Sequence, residues 1–194
     1  MRSASLRQAL WRAHVGGIGA PAALRPWLTE AGSLTARLVA HSEEFRVQRL
    51  HQRSASCLAD EARALGMARS ARVWEREVLL RCDGRPVVFA HTVVPMSASA
   101  SDWPLFSALG ERSLGSTLFG DPIVTRGALA FARIRDGHPL MERARAALGA
   151  GAHIPILFAR RCLYRRRKGI LLVTEVFLPT VLELAAVRKT RNTQ

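Results

Sequence analysis

Lysine is nearly missing from this chain. Of its 29 basic residues only Lys168 and Lys189 are lysines. So one-sided a preference is partly compositional, as from a GC-rich genome, and it weakens what a formal net charge of +14 would otherwise say about nucleic acid. The densest basic run, ARRCLYRRRKG (residues 159–169), holds a single aromatic, Tyr164, so the stacking platform that single strands require is absent. Its arginines read as a solvated hairpin tip around Lys168-Gly169, and no nucleic-acid partner is expected. Cysteine is scarce as well. Cys57, Cys82 and Cys162 are odd in number, far apart and without a C-x-x-C, which excludes a disulfide framework and fits a reducing compartment. No apolar run approaches the ~20 residues of a membrane helix, so no stable membrane insertion is expected. The six histidines form no H-E-x-x-H pair, GSTLFG lacks the Gly-Lys-Ser/Thr ending of a phosphate loop, and no G-x-S-x-G elbow exists. What remains is a protein that needs no metal, no cofactor and no covalent nucleophile.

What is present is a core. The chain has 194 residues, 48% of them hydrophobic, enough for one domain. Its first 24 residues lack acids and superficially resemble a transit peptide, but glycine and proline break them, and they read as a bacterial N-terminal segment. Short helices are predicted at Pro26-Trp27-Leu28, at LTARLVAH behind a Ser33 cap, and at ASCLADEARALG up to Gly66. FRVQRLHQ (45–52) and IVTRGALAFARI (123–134) alternate like strands. WPLFSALG and SLGSTLFG look like short helices, MSASASD (96–102) like a loop, and ERARAALGAG like a helical turn or loop. Two hairpins, residues 73–95 and 160–179, dominate, and the C-terminal tail frays into charge. The fold class is therefore α+β, a single domain with a largely antiparallel sheet and helices.

Each hairpin carries a charge where an apolar residue belongs. In VWEREVLLRCDGRPVVFAHTVVP (73–95), Asp83-Gly84 supplies a type I′ turn. Period-two alternation puts Trp74, Arg76, Val78 and Leu80 on one face and leaves Glu75, Glu77 and Arg81 on a wetter one. Registering the strands on that turn pairs Arg76 with His91. In ILLVTEVFLP (170–179), Leu171, Val173, Glu175 and Phe177 share a face. A buried, unpaired guanidinium costs several kcal/mol, so Arg76 needs something negative. Either the position is at an edge and Arg76 snorkels to water, or Glu175 pairs with it directly, or both hold a ligand between them.

GSLTARL (32–38), the 73–95 hairpin, LGERSLGSTLF (109–119) and LLVTEVFLP (171–179) resemble, in order and spacing, the bacterial chorismate pyruvate-lyase family, over roughly residues 20–180. The resemblance implies a cytoplasmic monomer with a ligand site buried under helical flaps. It also implies a cofactor-free elimination that converts chorismate to 4-hydroxybenzoate and pyruvate on the way to ubiquinone. It assigns Arg76 to the ring carboxylate and Glu175 to the ring hydroxyl, both counted as catalytic. Leu34 and Leu114 serve through their backbones, and His91, where the family often has a second arginine, is counted with the substrate-binding residues. The alternative is the effector-binding domain of GntR-type regulators, similar in fold. Those carry an N-terminal winged helix, and only a short segment precedes the resemblance here.

Overall fold

A computed structural model describes residues 8–68, 71–99, 102–149 and 154–184. The start of the N-terminal segment and the charged tail lie outside the described residues. Six strands form one sheet: β1 Phe45–Ser56, β2 Arg72–Cys82, β3 Arg85–Pro95, β4 Val124–Arg135, β5 Ile156–Arg166 and β6 Gly169–Phe177. Their order is β1-β2-β3-β6-β5-β4, with every neighbouring pair antiparallel. The two hairpins therefore meet at β3 and β6, in the middle of the sheet. The helices are short: α1 Arg25–Leu28, α2 Leu34–Val39, α3 Ala59–Leu65, α4 Met96–Ser99, α5 Leu114–Gly120 and α6 Pro139–Leu148. None of the described helices is long and apolar enough to cross a membrane.

Both faces of the sheet are covered, which is why its strands read as near-continuous apolar runs. On one face Leu24, Trp27, Leu28, Leu34 and Leu38 pack on Val78, Leu80, Val88 and Phe177. Farther along it, Trp103, Phe106, Leu109 and Leu118 meet Tyr164 and Leu171. On the other face Leu140, Met141 and Ala144 of α6 cover Leu79, Phe89, Ile134 and Val176, and Ala62 and Leu65 of α3 cover Val73, Val93 and Leu172. Each such side chain contributes about 1.5–3 kcal/mol by leaving water.

Local chemistry sets the element ends. Ser33 caps α2 by accepting from the Ala36 N–H (3.3 Å), and Gly66 closes α3 at φ 66°. ERARAALGAG (142–151), expected as a helical turn or loop, gives its first seven residues to α6, which has Pro139 in its first turn and His138 Nδ1 accepting from the Leu140 N–H. Met96–Ser99 is a helical turn where a loop was expected, and of WPLFSALG only Pro104–Phe106 is helical, as a 3₁₀ turn.

The first hairpin differs from the simple register by one residue. Asp83 (φ 50°) and Gly84 (φ 75°) make the expected turn. Arg81 then faces Pro86 but Leu80 faces Val88, so Val87 is a bulge. A one-residue shift inverts faces. Arg76 pairs with Thr92, and His91 pairs with Glu77. In the second hairpin Arg166 faces Gly169, so the turn is Arg167-Lys168 and not Lys168-Gly169. Gly169 answers a different need, since a Cβ there would fall 2.4 Å from the Cβ of Asp102.

Candidate functional site

The face shared by Arg76 and Glu175 carries a lidded cavity of about 40 Å³. Its floor is the sheet: Arg76, Val78 and Leu80 from β2, Ala90 and Thr92 from β3, Val173 and Glu175 from β6, Arg160 and Tyr164 from β5. Its roof is α2, beginning at Leu34, and α5, beginning at Leu114. Arg76 and Glu175 stand on strands either side of β3, two residues apart in register, about 10 Å across and 7 Å along the sheet. Their side chains close that diagonal from both ends.

Arg76 is 2% exposed. Its Nη2 donates to the carbonyls of Gly110 and Arg112 (both 3.0 Å), on the loop leading into α5. Its Nε is buried without a hydrogen-bond acceptor among the described residues. Burial and, less, the neighbouring Arg49 pull its pKa down to about 10, so the cation persists at neutral pH. The expectation that something negative meets Arg76 is thus not met within the described residues: two loop carbonyls hold one nitrogen, and no described carboxylate pairs with it. Glu175 does not pair with it. Glu175 Oε2 accepts instead from Arg160 Nε, 2.5 Å away on the adjacent strand.

Leu34 and Leu114 both line the cavity. As first residues of helices, their N–H groups have no intrahelical acceptor. The two roof helices are joined where they begin, by a 2.6 Å hydrogen bond between the hydroxyls of Thr35 and Ser113. Gly115 makes the close approach feasible, because a Cβ there would lie 2.9 Å from Thr35 Oγ1.

His91 is the one expected site residue that the structure places elsewhere. The bulge turns it to the opposite face, fully buried. There Nδ1 lies 3.0 Å from Glu77 Oε1 and Nε2 lies 2.9 Å from Glu61 Oε1. Burial opposes its charge, but the two carboxylates outweigh burial and push its pKa up to about 10. Glu77, likewise opposed by burial, is held down to about 2 by His91 and Arg143. Arg143 bridges Glu77 (2.7 Å) and Glu75 (3.0 Å), and Glu75 also meets Arg53 and His51. The face expected to be wet is therefore a buried ion network. Among the described residues, His51, Glu75 and Glu77 are the one group whose ligand atoms lie close enough for a metal, within 4.8 Å of one another. Arg143 and Arg53 already answer those carboxylates, so the group is an ion-pair cluster.

Sequence reasoning missed Arg160 and Tyr164. Arg160 was assigned to a solvated tip and is 2% exposed. Tyr164, the chain's single tyrosine, is buried in the cavity wall, and burial, then Glu175, push its pKa up to about 12. Both follow from registering the second hairpin on Arg167-Lys168, which sets Arg160 across from Glu175. A wider cleft of about 400 Å³ lies elsewhere, lined by Arg12, Arg133 and Arg135, and holds none of the expected residues.

An inward arginine and an inward glutamate under paired helices match the motifs quoted above, and comparison with known proteins decides the family. The family model "Chorismate lyase" matches residues 5–187. The chain belongs to the chorismate lyase family. A relative from Cupriavidus pinatubonensis, named "Probable chorismate pyruvate-lyase", is 51% identical over 162 residues, 84% of each chain. One of the same name from Cupriavidus metallidurans is 47% identical over 184 residues, 94% of this chain and 86% of its own. Among solved structures, the effector domain of PhnF from Mycobacterium smegmatis aligns with a TM-score of 0.52 at 20% identity, over 76% of this chain and 89% of that one. At that identity the likeness is one of fold alone. This chorismate lyase family member thus shares its fold with an effector domain, and its sequence with proteins named as probable lyases.

Proposed function

We propose that this chain is a chorismate pyruvate-lyase whose active site is the lidded cavity, with Arg76 and Glu175 at its two ends. Family membership supports the activity. The observation that carries the site is the placement of opposite charges at the ends of one apolar chamber roofed by two helix beginnings. Chorismate offers a ring carboxylate and, across the ring, a hydroxyl. Arg76 Nε and the Leu34 and Leu114 N–H groups meet the carboxylate; Glu175 accepts from the hydroxyl. A planar guanidinium suits a carboxylate better than an ammonium does. His91 has no part in this, since it lies behind the sheet.

The chemistry asks little of the protein. The ether bond from the ring to the enolpyruvyl oxygen breaks, and its electron pair stays with that oxygen. One ring hydrogen goes to the vinyl carbon, either directly through a six-membered array or by way of a base. The ring becomes aromatic and the side chain becomes pyruvate. The site holds the reactive conformer and keeps water out. Substrate enters by movement of the roof, whose two helices are clasped where they begin by one hydroxyl pair. The same reading has a monomer at work in the cytoplasm, without cofactor. The test is purified protein with chorismate, following absorbance of the aromatic product and pyruvate by a coupled assay. Equimolar release of both is expected. Binding without turnover would favour a ligand sensor.

A further inference from the structure

Arg160 is the most heavily committed side chain in the chamber. It divides its donors between two tasks. Nε donates to Glu175 Oε2. Nη1 donates to the carbonyl of Glu30 (2.8 Å) and, at 3.4 Å, to those of Trp27 and Leu28. These carbonyls end α1 and begin the segment that runs into α2, one half of the roof. Glu30 braces the same segment, accepting from Arg37 of α2 (2.6 Å) and from the Gly32 N–H (2.8 Å). One guanidinium thus joins the acid on the floor to the backbone from which the roof hangs.

The bond to Arg160 also decides what Glu175 presents. One oxygen is occupied, and the other, Oε1, accepts from no described residue. The charge is compensated, so the pair offers an acceptor without repelling an anionic substrate. Arg76 and Arg160 against Glu175 leave the chamber with one net positive charge, the complement of a monoanionic aromatic product. We infer that Arg160 is a positioning residue for the proposed reaction: it fixes Glu175 in one rotamer with Oε1 toward the ligand hydroxyl and links that geometry to roof closure. This inference rests on the reading of Glu175 as the hydroxyl acceptor.

The experiment compares 4-hydroxybenzoate with benzoate, by calorimetric titration, across Arg160→Gln, Arg160→Lys, Glu175→Gln and the double variant Arg160→Gln/Glu175→Gln. A hydrogen bond to a charged group makes the native protein favour the hydroxylated ligand roughly 10- to 100-fold. Arg160→Gln should lose most of that preference, read as the ratio of the two affinities, because the weaker hold on any anion beside an uncompensated Glu175 is common to both ligands and cancels in the ratio. Arg160→Lys keeps the charge and should restore part of it, which guards against a variant that merely fails to fold. In the Glu175→Gln background Arg160→Gln should change nothing further. If Glu175→Gln leaves the preference intact, the reading of Glu175 falls. If Glu175→Gln lowers it and both Arg160 variants leave it intact, Arg160 is a structural ion and the inference is overturned.

Discussion

Arg76 places a positive charge among Val78, Leu80 and Val173, and what makes the position tolerable is unequal use of its nitrogens. Nη2 has two carbonyls, whereas Nε waits for an acceptor. Arg76→Ala should therefore cost about 2–5 kcal/mol of transition-state binding, roughly 30- to 4,000-fold in kcat/KM. Arg76→Lys should recover only part, because an ammonium cannot serve the loop carbonyls and a carboxylate in one plane. Steady-state kinetics on folded protein check this; activity of Arg76→Ala within threefold of native would remove Arg76 from the site. The inward direction of Arg76 and Glu175 was legible from period-two alternation alone, since it needs no partner strand. The partner of each was not. For His91 an unseen bulge at Val87 inverted the face, and for Glu175 a one-residue error in the second turn shifted the register by two and put Cys162 where Arg160 stands. Alternation survives such errors when the shift is even and fails when it is odd.

At the scale of elements, the roof is two short helices held by little. α2 and α5 have six and seven residues, too few to be stable alone. A single hydroxyl pair, Thr35 with Ser113, clasps their beginnings. Gly115→Ala would drive a methyl into that clasp. The loss of one hydrogen bond should weaken binding of 4-hydroxybenzoate about 3- to 10-fold and relieve product inhibition, with early turnover preserved. Progress curves with added product read this directly, and a curve unchanged from native would show that the clasp does not gate release. With the native roof, product at a hundredfold above its Kd should add about 2.7 kcal/mol of stability, and an analogue without the carboxylate almost none. Melting curves supply the comparison. Caps and glycines made most of these elements legible, α2 through Ser33 and α3 through Gly66. α6 was harder to read because its start is signalled by His138 and Pro139, and histidine is an uncommon cap.

Across the whole molecule, the sheet divides two kinds of polar interior. On the side of Arg76 a buried guanidinium nitrogen has no described acceptor, and the side of Glu75 and Glu77 is satisfied by the protein itself. The second makes stability depend on pH. The His91 pKa is raised on folding, so its contribution is complete below about 6.5 and is lost as pH rises through about 10. That of Glu77 is lowered, so its contribution is present above its ordinary range and lost as pH falls toward 2. The melting temperature should hence be highest between about pH 4.5 and 6.5 and decline on the alkaline side. His91→Gln should lower it overall, by about 3–5 kcal/mol for a broken buried pair, and flatten the decline between pH 6.5 and 10. A native melting temperature that is level from pH 6 to 10 would contradict a charged His91.

That ion network also bears on traffic. Glu75 and Glu77 flank Arg76 in sequence and are locked to Arg143 and His91 behind the wall that Arg76 faces. A wall pinned in this way cannot yield, and movement is left to the roof. On the proposed reading the roof is the doorway, used in turn by the incoming dianion and by two departing acids. The smaller acid, freed from its ring and held by no named anchor, should go first through a narrow opening, and the aromatic acid should wait for a wider one. Release would then be ordered: added pyruvate should inhibit weakly and noncompetitively, and added 4-hydroxybenzoate should compete with substrate for the empty room.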